Sequence, residues 1–285
     1  MPDVDVAVIG AGAAGLSVAA ISAGLGLKVA LFARGAMGGD CLNTGCVPSK
    51  ALLAAAHAAA EARRAHRFGI RLPPPGIDWG GVRAHVAGAI AAIAPNDSEE
   101  RFRAMGVSVV RASARFAAPN IIDAGTHRFH FRRAVIAAGS AAIIPPIRGL
   151  AEVPFLTNET LFALKEPPGH LLVLGGGPIG LEMAQAHARL GCRVTVVEAA
   201  TIAGREEPEC LPPLREALAA DGVSLHEGVR VEAAEPDEAG VALLLDDGTR
   251  LAGTHLLIAV GRAPSLAGLD LAAAGIASTA AGVTT

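Results

Sequence analysis

Apolar and polar positions along this chain fall into blocks whose spacing switches from strand-like to helix-like and back. Val4–Ile9 is a short apolar run, followed by a glycine-rich turn, the apolar helical pattern of Leu16–Leu25 and a second strand at Lys28–Phe32. The same order recurs at Leu171–Leu174, Gly175–Gly180, Leu181–Leu190 and Arg193–Val197. A strand–turn–helix–strand unit that appears twice predicts an α/β chain with two tandem Rossmann-like dinucleotide-binding domains. Between the repeats, helices are expected at about Pro48–Arg67 and at Trp79–Met105 with a break at Pro95. The cluster Pro73-Pro74-Pro75-Gly76 separates them, because neither helix can continue through it. Val107–Val110, Ala114–Phe116, Ile121–Asp123 and Phe129–Ile136 read as the short strands of a meander. Val223–Leu225, Val241–Leu245 and Leu256–Val260 read as later strands, with Asp246-Asp247-Gly248 as a hairpin turn. Pro145-Pro146 and Glu152–Pro154 mark a boundary. The expected division is therefore 1–150 and 151–285, each part carrying a small β-meander insertion.

Composition narrows the class. With 285 residues and 52% hydrophobic content, the chain can bury large cores, which excludes a wholly disordered protein. A net charge of −3 gives no electrostatic reason to expect nucleic acid. Four cysteines are too few for a small secreted disulfide scaffold. Val6–Leu27 holds 22 residues without a charge, long enough to span a bilayer, but five glycines interrupt it. Asp3 and Asp5 precede it where a secretory signal carries basic residues. The expectation is no membrane span, no cleavable signal and a cytoplasmic location.

Gly10-x-Gly12-x-x-Gly15 sits between a strand and a helix. Its first glycine permits the tight turn, its second lets a pyrophosphate approach, and its third allows close helix–strand packing. Gly175-x-Gly177-x-x-Gly180 repeats the arrangement, and Glu198 lies 18 residues past its third glycine, where a carboxylate binds a ribose hydroxyl. A carboxylate there repels a 2′-phosphate and so favours NAD(H) over NADP(H). The corresponding position of the first unit is Ala33, followed by Arg34, so that unit lacks the carboxylate. In Gly38-Gly39-Asp40-Cys41-Leu42-Asn43-Thr44-Gly45-Cys46-Val47-Pro48-Ser49-Lys50, two cysteines five apart precede a helical run. A helix start lowers a thiol pKa and makes the thiolate available, which points to a redox dithiol/disulfide. The alternatives are half a zinc site or two inert thiols. Zinc needs two more ligands, which Cys192 and Cys210 do not supply as a pair, so no metal site is expected. His57, His66, His127, His130 and His187 form no ligand pattern and read as surface or helix residues, and Cys192 and Cys210 read as structural thiols.

The cysteine segment resembles that of the pyridine nucleotide–disulfide oxidoreductases, which include dihydrolipoamide dehydrogenase, mercuric reductase and glutathione reductase. Its wording is nearest the lipoamide dehydrogenase and mercuric reductase branch. The resemblance extends to Ala137-Ala138-Gly139-Ser140, Gly175–Glu182 and Gly261-Arg262-Ala263-Pro264. It implies FAD in the first unit and NAD in the second. Cys46 would then lie against the flavin, and Cys41 would be the interchange thiol that meets the substrate. Lys50 and Glu182 would form an ion pair beside the reactive flavin nitrogen. Gly39, Ala114, Gly139 and Ser140 match positions near FAD, and Gly261 matches one near NAD. The implied substrate is a small disulfide or dithiol, or mercuric ion, and the family is homodimeric. It also implies a return to the FAD domain and an interface domain with an acid/base histidine, both expected beyond residue 285. A C-terminally truncated chain, with weak FAD binding and no turnover, is the corresponding expectation. The rival expectation is a catalytically incomplete dinucleotide-binding remnant.

Overall fold

Alternation along the first strand sends successive side chains to opposite faces, and both faces are covered, which is the pattern of a buried parallel sheet. In the computed structural model, which describes residues 3–284, β1 (Val4–Ile9) is followed by α1 (Ala13–Gly24), β2 (Val29–Phe32), α2 (Gly39–Asn43) and α3 (Cys46–Arg64). Then come α4 (Trp79–Ile93), α5 (Glu99–Ala104), β3 (Ser108–Val110), β4 (Ala114–Ala118), β5 (Ile121–Ala124) and β6 (His127–Ile136). Pro95 does end the long helix. A short 3₁₀ turn occupies 94–97, and the Ser98 hydroxyl caps α5 by accepting from the Arg101 N–H.

The chain divides into two units. Among the described residues, the first holds 3–47, 88–141 and 262–284. Its sheet has the order β3-β2-β1-β6-β5-β4, with β3, β2, β1 and β6 parallel and β6, β5 and β4 an antiparallel meander. Ile9, Phe32, Phe116, Ile122 and Phe131 fill one face, while Val8, Leu31, Leu16 of α1 and Phe102 of α5 fill the other.

The second unit holds residues 48–87 and 142–261. After β7 (Ser140–Ala142) come α6 (Asn158–Leu161), β8 (His170–Leu174), α7 (Pro178–Arg189), β9 (Arg193–Glu198), α8 (Leu211–Ala220) and β10 (Val223–Glu227). They are followed by β11 (Val231–Asp237), β12 (Gly240–Leu245), β13 (Arg250–Gly253), β14 (His255–Ile258) and β15 (Arg262–Pro264), the last belonging to the first unit. Strands β10-β9-β8-β14 form a parallel sheet, and β11-β12-β13 form an antiparallel meander. The two units thus share the strand order third-second-first-fourth, each with a meander attached.

Two expectations are corrected. A single cut after residue 150 does not describe the packing. Residues 262–284 return to the first unit, where the Phe116 N–H donates to the Leu269 carbonyl at 2.9 Å and Leu269 and Leu271 enter its core. Residues 48–87 join the second unit, where Arg64 pairs with Asp221 at 2.5 Å and Asp221 also binds Arg189 at 2.8 Å. The turn at Asp246-Asp247-Gly248 does close a hairpin, and its second arm is β13, a strand the sequence reading did not include. Among the described residues, no helix is long and apolar enough to cross a membrane.

Candidate active site

Each unit builds the same turn. Gly10 and Gly175 both take φ +110°, and a Cβ on either would lie 2.1 or 2.5 Å from the carbonyl of Ala137 or Ala259 on the neighbouring strand end. A Cβ on Gly15 or Gly180 would lie 1.9 or 2.1 Å from the carbonyl of that first glycine. Only glycine fits these places. The helices that follow, α1 and α7, begin at Gly12 and Gly177 with no side-chain cap and no acidic residue in the first turn. Their leading N–H groups therefore face outward as donors for an anion. A Cβ on Gly177 would meet nothing within 4 Å, so the backbone there is open to close approach.

Glu198 ends β9 and turns its carboxylate onto this loop. Oε2 accepts from the Gly176 N–H at 2.7 Å and Oε1 from the Ala200 N–H at 2.9 Å. Two backbone donors fix the carboxylate and leave each oxygen further acceptor capacity for a hydroxyl pair. In the first unit Ala33 occupies the strand end, buried, and carries no acceptor.

The cysteine segment lies against the first turn. Gly12 bridges Gly38, and a Cβ on Gly39 would be 2.6 Å from the Gly12 Cα, so the two backbones touch. Asn43 Nδ2 donates to the carbonyls of Met37 at 3.0 Å and Gly39 at 2.8 Å, holding the segment's curve. The two cysteines occupy different environments. Cys46 is the first residue of α3 and is exposed, while Cys41 sits mid-way in the five-residue α2 and is half-buried. Both are thiols in the structure, and they hydrogen-bond one another. The expectation of a lowered thiol pKa fails for Cys41, whose pKa is raised. The hydrogen bond with Cys46 is the main cause, followed by partial burial and then the charges of Cys46 and Asp97.

Among the other predicted residues, Ala114, Gly139 and Ser140 join Gly10, Gly12, Gly15 and Gly39 in the first unit. Gly261 joins Gly175, Gly177, Gly180 and Glu198 in the second. Lys50 lies four residues past Cys46 on α3. The ion pair expected between Lys50 and Glu182 is absent among the described residues. Both side chains are exposed, where pairing gains little over solvation. No cluster of three or more His, Cys, Asp or Glu side chains suited to a metal occurs among the described residues. His187 is a helix residue, as expected, buried on α7 with Nδ1 bonded to the Met183 carbonyl at 2.8 Å, and Cys210 is exposed. Burial pushes the Cys192 thiol up to about 11. Sequence reasoning missed Asp97, whose charge reaches Cys41, and Arg262, whose guanidinium binds Ser140 and Asp40. Arg262 stood in a recognised motif, but nothing in its spacing names its partners.

The profile of the family described as pyridine nucleotide-disulphide oxidoreductase matches residues 4–284. A mercuric reductase of Streptomyces lividans is 36% identical over 281 residues, covering 95% of this chain and 59% of the relative. A dihydrolipoyl dehydrogenase of Halobacterium salinarum is 33% identical over 291 residues, covering 95% and 60%. The solved HOCl-induced flavoprotein disulfide reductase RclA of Escherichia coli superposes with a TM-score of 0.86 at 29% identity, covering 99% of this chain and 62% of that one. The chain thus spans about six-tenths of the length of these three proteins.

Proposed function

The chain belongs to the pyridine nucleotide-disulphide oxidoreductase family, and from that premise we propose that it holds FAD in its first unit and NAD(H) in its second. Cys41 and Cys46 are the redox pair, and the substrate is a small disulfide or dithiol, or mercuric ion. The observation that carries this reading is the cysteine segment seated against the first glycine-rich turn, with Gly39 on Gly12. The uncapped N-termini of α1 and α7 and the open backbone at Gly177 fit the pyrophosphates of two dinucleotides. Bound FAD would supply the two-electron exchange between a nicotinamide and a dithiol that neither makes directly.

This chain's own residues supply binding and thiol chemistry. Glu198, fixed by Gly176 and Ala200, receives the adenosine ribose hydroxyls and repels a 2′-phosphate, so NADH is preferred. Cys41 and Cys46 close a disulfide by losing two electrons and two protons, and reopen it by regaining them. Cys41 exchanges with the substrate, while Cys46 serves the flavin side. Ala33 favours one other reading, a nucleotide-binding protein that has lost turnover, because the first unit lacks a ribose carboxylate.

Thiol titration of the denatured chain tests the redox pair. Two free thiols, Cys192 and Cys210, are expected in oxidised protein, and four after reduction. Four in both states would sink the reading. A visible absorption spectrum with bound flavin separates the enzyme from the remnant, and turnover of lipoamide against mercuric ion sorts the substrates.

A further inference from the structure

Arg262 opens β15 and spreads its guanidinium over two other segments of the first unit. Nε donates to Ser140 Oγ at 2.8 Å, and Nη2 donates to the Ser140 carbonyl at 2.6 Å and to Asp40 Oδ2. The other Asp40 oxygen, Oδ1, accepts from the Thr44 hydroxyl at 3.2 Å. Asp40 immediately precedes Cys41, and Thr44 lies between Cys41 and Cys46. A continuous chain of side chains therefore runs from Ser140 through Arg262 and Asp40 into the loop that joins the two sulfurs.

We propose that Arg262 is a positioning residue for the cysteine pair, fixing the loop through Asp40 and Thr44 and offsetting the Asp40 charge beside Cys41. This rests on the reading of Cys41 and Cys46 as the redox pair. Ser140 holds the planar fork at two points, so little side-chain freedom is lost when it also engages Asp40. That anchoring matters because Asp40 is exposed, and an unanchored pair there would contribute little. Within the first unit, the charged groups at this loop are Asp40 next to Cys41, Asp97 from the turn before α5, and Arg262 from β15 through its bond to Asp40. Asp97 is among the causes that raise the Cys41 thiol, and both oxygens of Asp40, one residue away, are engaged by Thr44 and Arg262.

The test is the iodoacetamide alkylation rate of Cys41 against pH, read by mass spectrometry on the reduced chain. Arg262→Met bares the Asp40 charge, so alkylation at neutral pH should fall about threefold to tenfold, the profile moving upward by about half a unit to one unit. Asp40→Asn in that background should restore most of the rate, which repair of a merely structural defect would not do. Asp40→Asn alone keeps Arg262 and should not slow alkylation, which covers the case in which Arg262→Met fails to fold. An unmoved profile in Arg262→Met, no restoration in the double variant, or slower alkylation in Asp40→Asn overturns the proposal. If thiol titration shows no Cys41–Cys46 disulfide, the redox pair itself fails. If the disulfide forms and the profiles do not move, only the role of Arg262 fails.

Discussion

The two glycine-rich turns repeat one another at Gly10 and Gly175 and at Gly15 and Gly180, then part at the residue after the first glycine. In the second unit that residue is Gly176, whose N–H is held by Glu198. A Cβ there would lie 2.8 Å from Ile202 Cγ2 and 3.1 Å from Glu198 Cβ. In the first unit it is Ala11, and the strand end opposite is Ala33, both buried in one core cluster. The carboxylate and the glycine therefore come as a pair: the glycine makes room for the stem of Glu198 and presents the N–H that orients its head. Without a carboxylate, two methyl groups fill the equivalent space. One topology thus yields a turn that anchors a strand-end carboxylate and a turn that packs the same place with two methyl groups.

The largest effect should be shared by both turns. Gly15→Val and Gly180→Val each drive a side chain into the carbonyl of Gly10 or Gly175, and each should destabilise its unit by roughly 3 kcal/mol or more. Thermal unfolding of both variants checks this. A tolerated valine in one unit alone would break the equivalence on which the comparison stands.

Next in size is Glu198→Ala. Loss of a charge-assisted contact is worth about 1.5–3 kcal/mol, so NADH should bind about tenfold to a hundredfold more weakly, and the preference over NADPH should shrink. Fluorescence titration with both nucleotides measures it. Unchanged NADH affinity would mean that the Glu198 carboxylate serves only to close its own loop.

How much of this was legible in sequence follows from distance along the chain. The turns, their helices and Glu198 are local patterns, so glycine spacing and apolar periodicity carry them. Strand β11 was missed because its alternation is interrupted by Ala233-Ala234 and ends on Pro236 and Asp237, while β13 is four residues closing on a glycine. The return of Leu269 to Phe116 and the link from Arg262 to Asp40, 222 residues apart, are choices among many partners of equal chemistry. Only the folded backbone makes them. The thiol environment was misjudged for the same reason. Spacing places both cysteines near a helix start, as the structure does, but cannot show that Cys41, in the short α2, bonds Cys46 and lies within reach of the Asp97 charge.

Converting one turn toward the other sharpens the comparison. Ala33→Glu alone should cost about 1–2 kcal/mol, because the Ala11 methyl occupies the space the stem needs and the carboxylate enters a packed region. Adding Ala11→Gly should recover part of that loss. Equal unfolding temperatures for the single and double variants would show that the glycine and the carboxylate are not coupled.

The smallest difference is one of pH. His170, His187 and His255 all lie in the second unit, and burial is the leading cause that lowers the pKa of each. The first unit's His127 and His130 are exposed. A histidine kept neutral by burial binds its proton more readily in the unfolded chain, so the unfolded state takes up protons first as pH falls. The stability contributed is present above the unfolded pKa of about 6.5 and declines as pH drops from there toward the folded values. Each proton taken up contributes at most about 1.4 kcal/mol per pH unit, and the partial exposure of His170 and His255 reduces their share. Between pH 7 and pH 5, amide exchange should therefore accelerate in β8, α7 and β14 before it does in β1, β2 and β6, after correction for intrinsic rates. His187→Phe, which removes the most buried of the three, should flatten that difference. Equal acid sensitivity of the two sheets would place the titrating groups elsewhere.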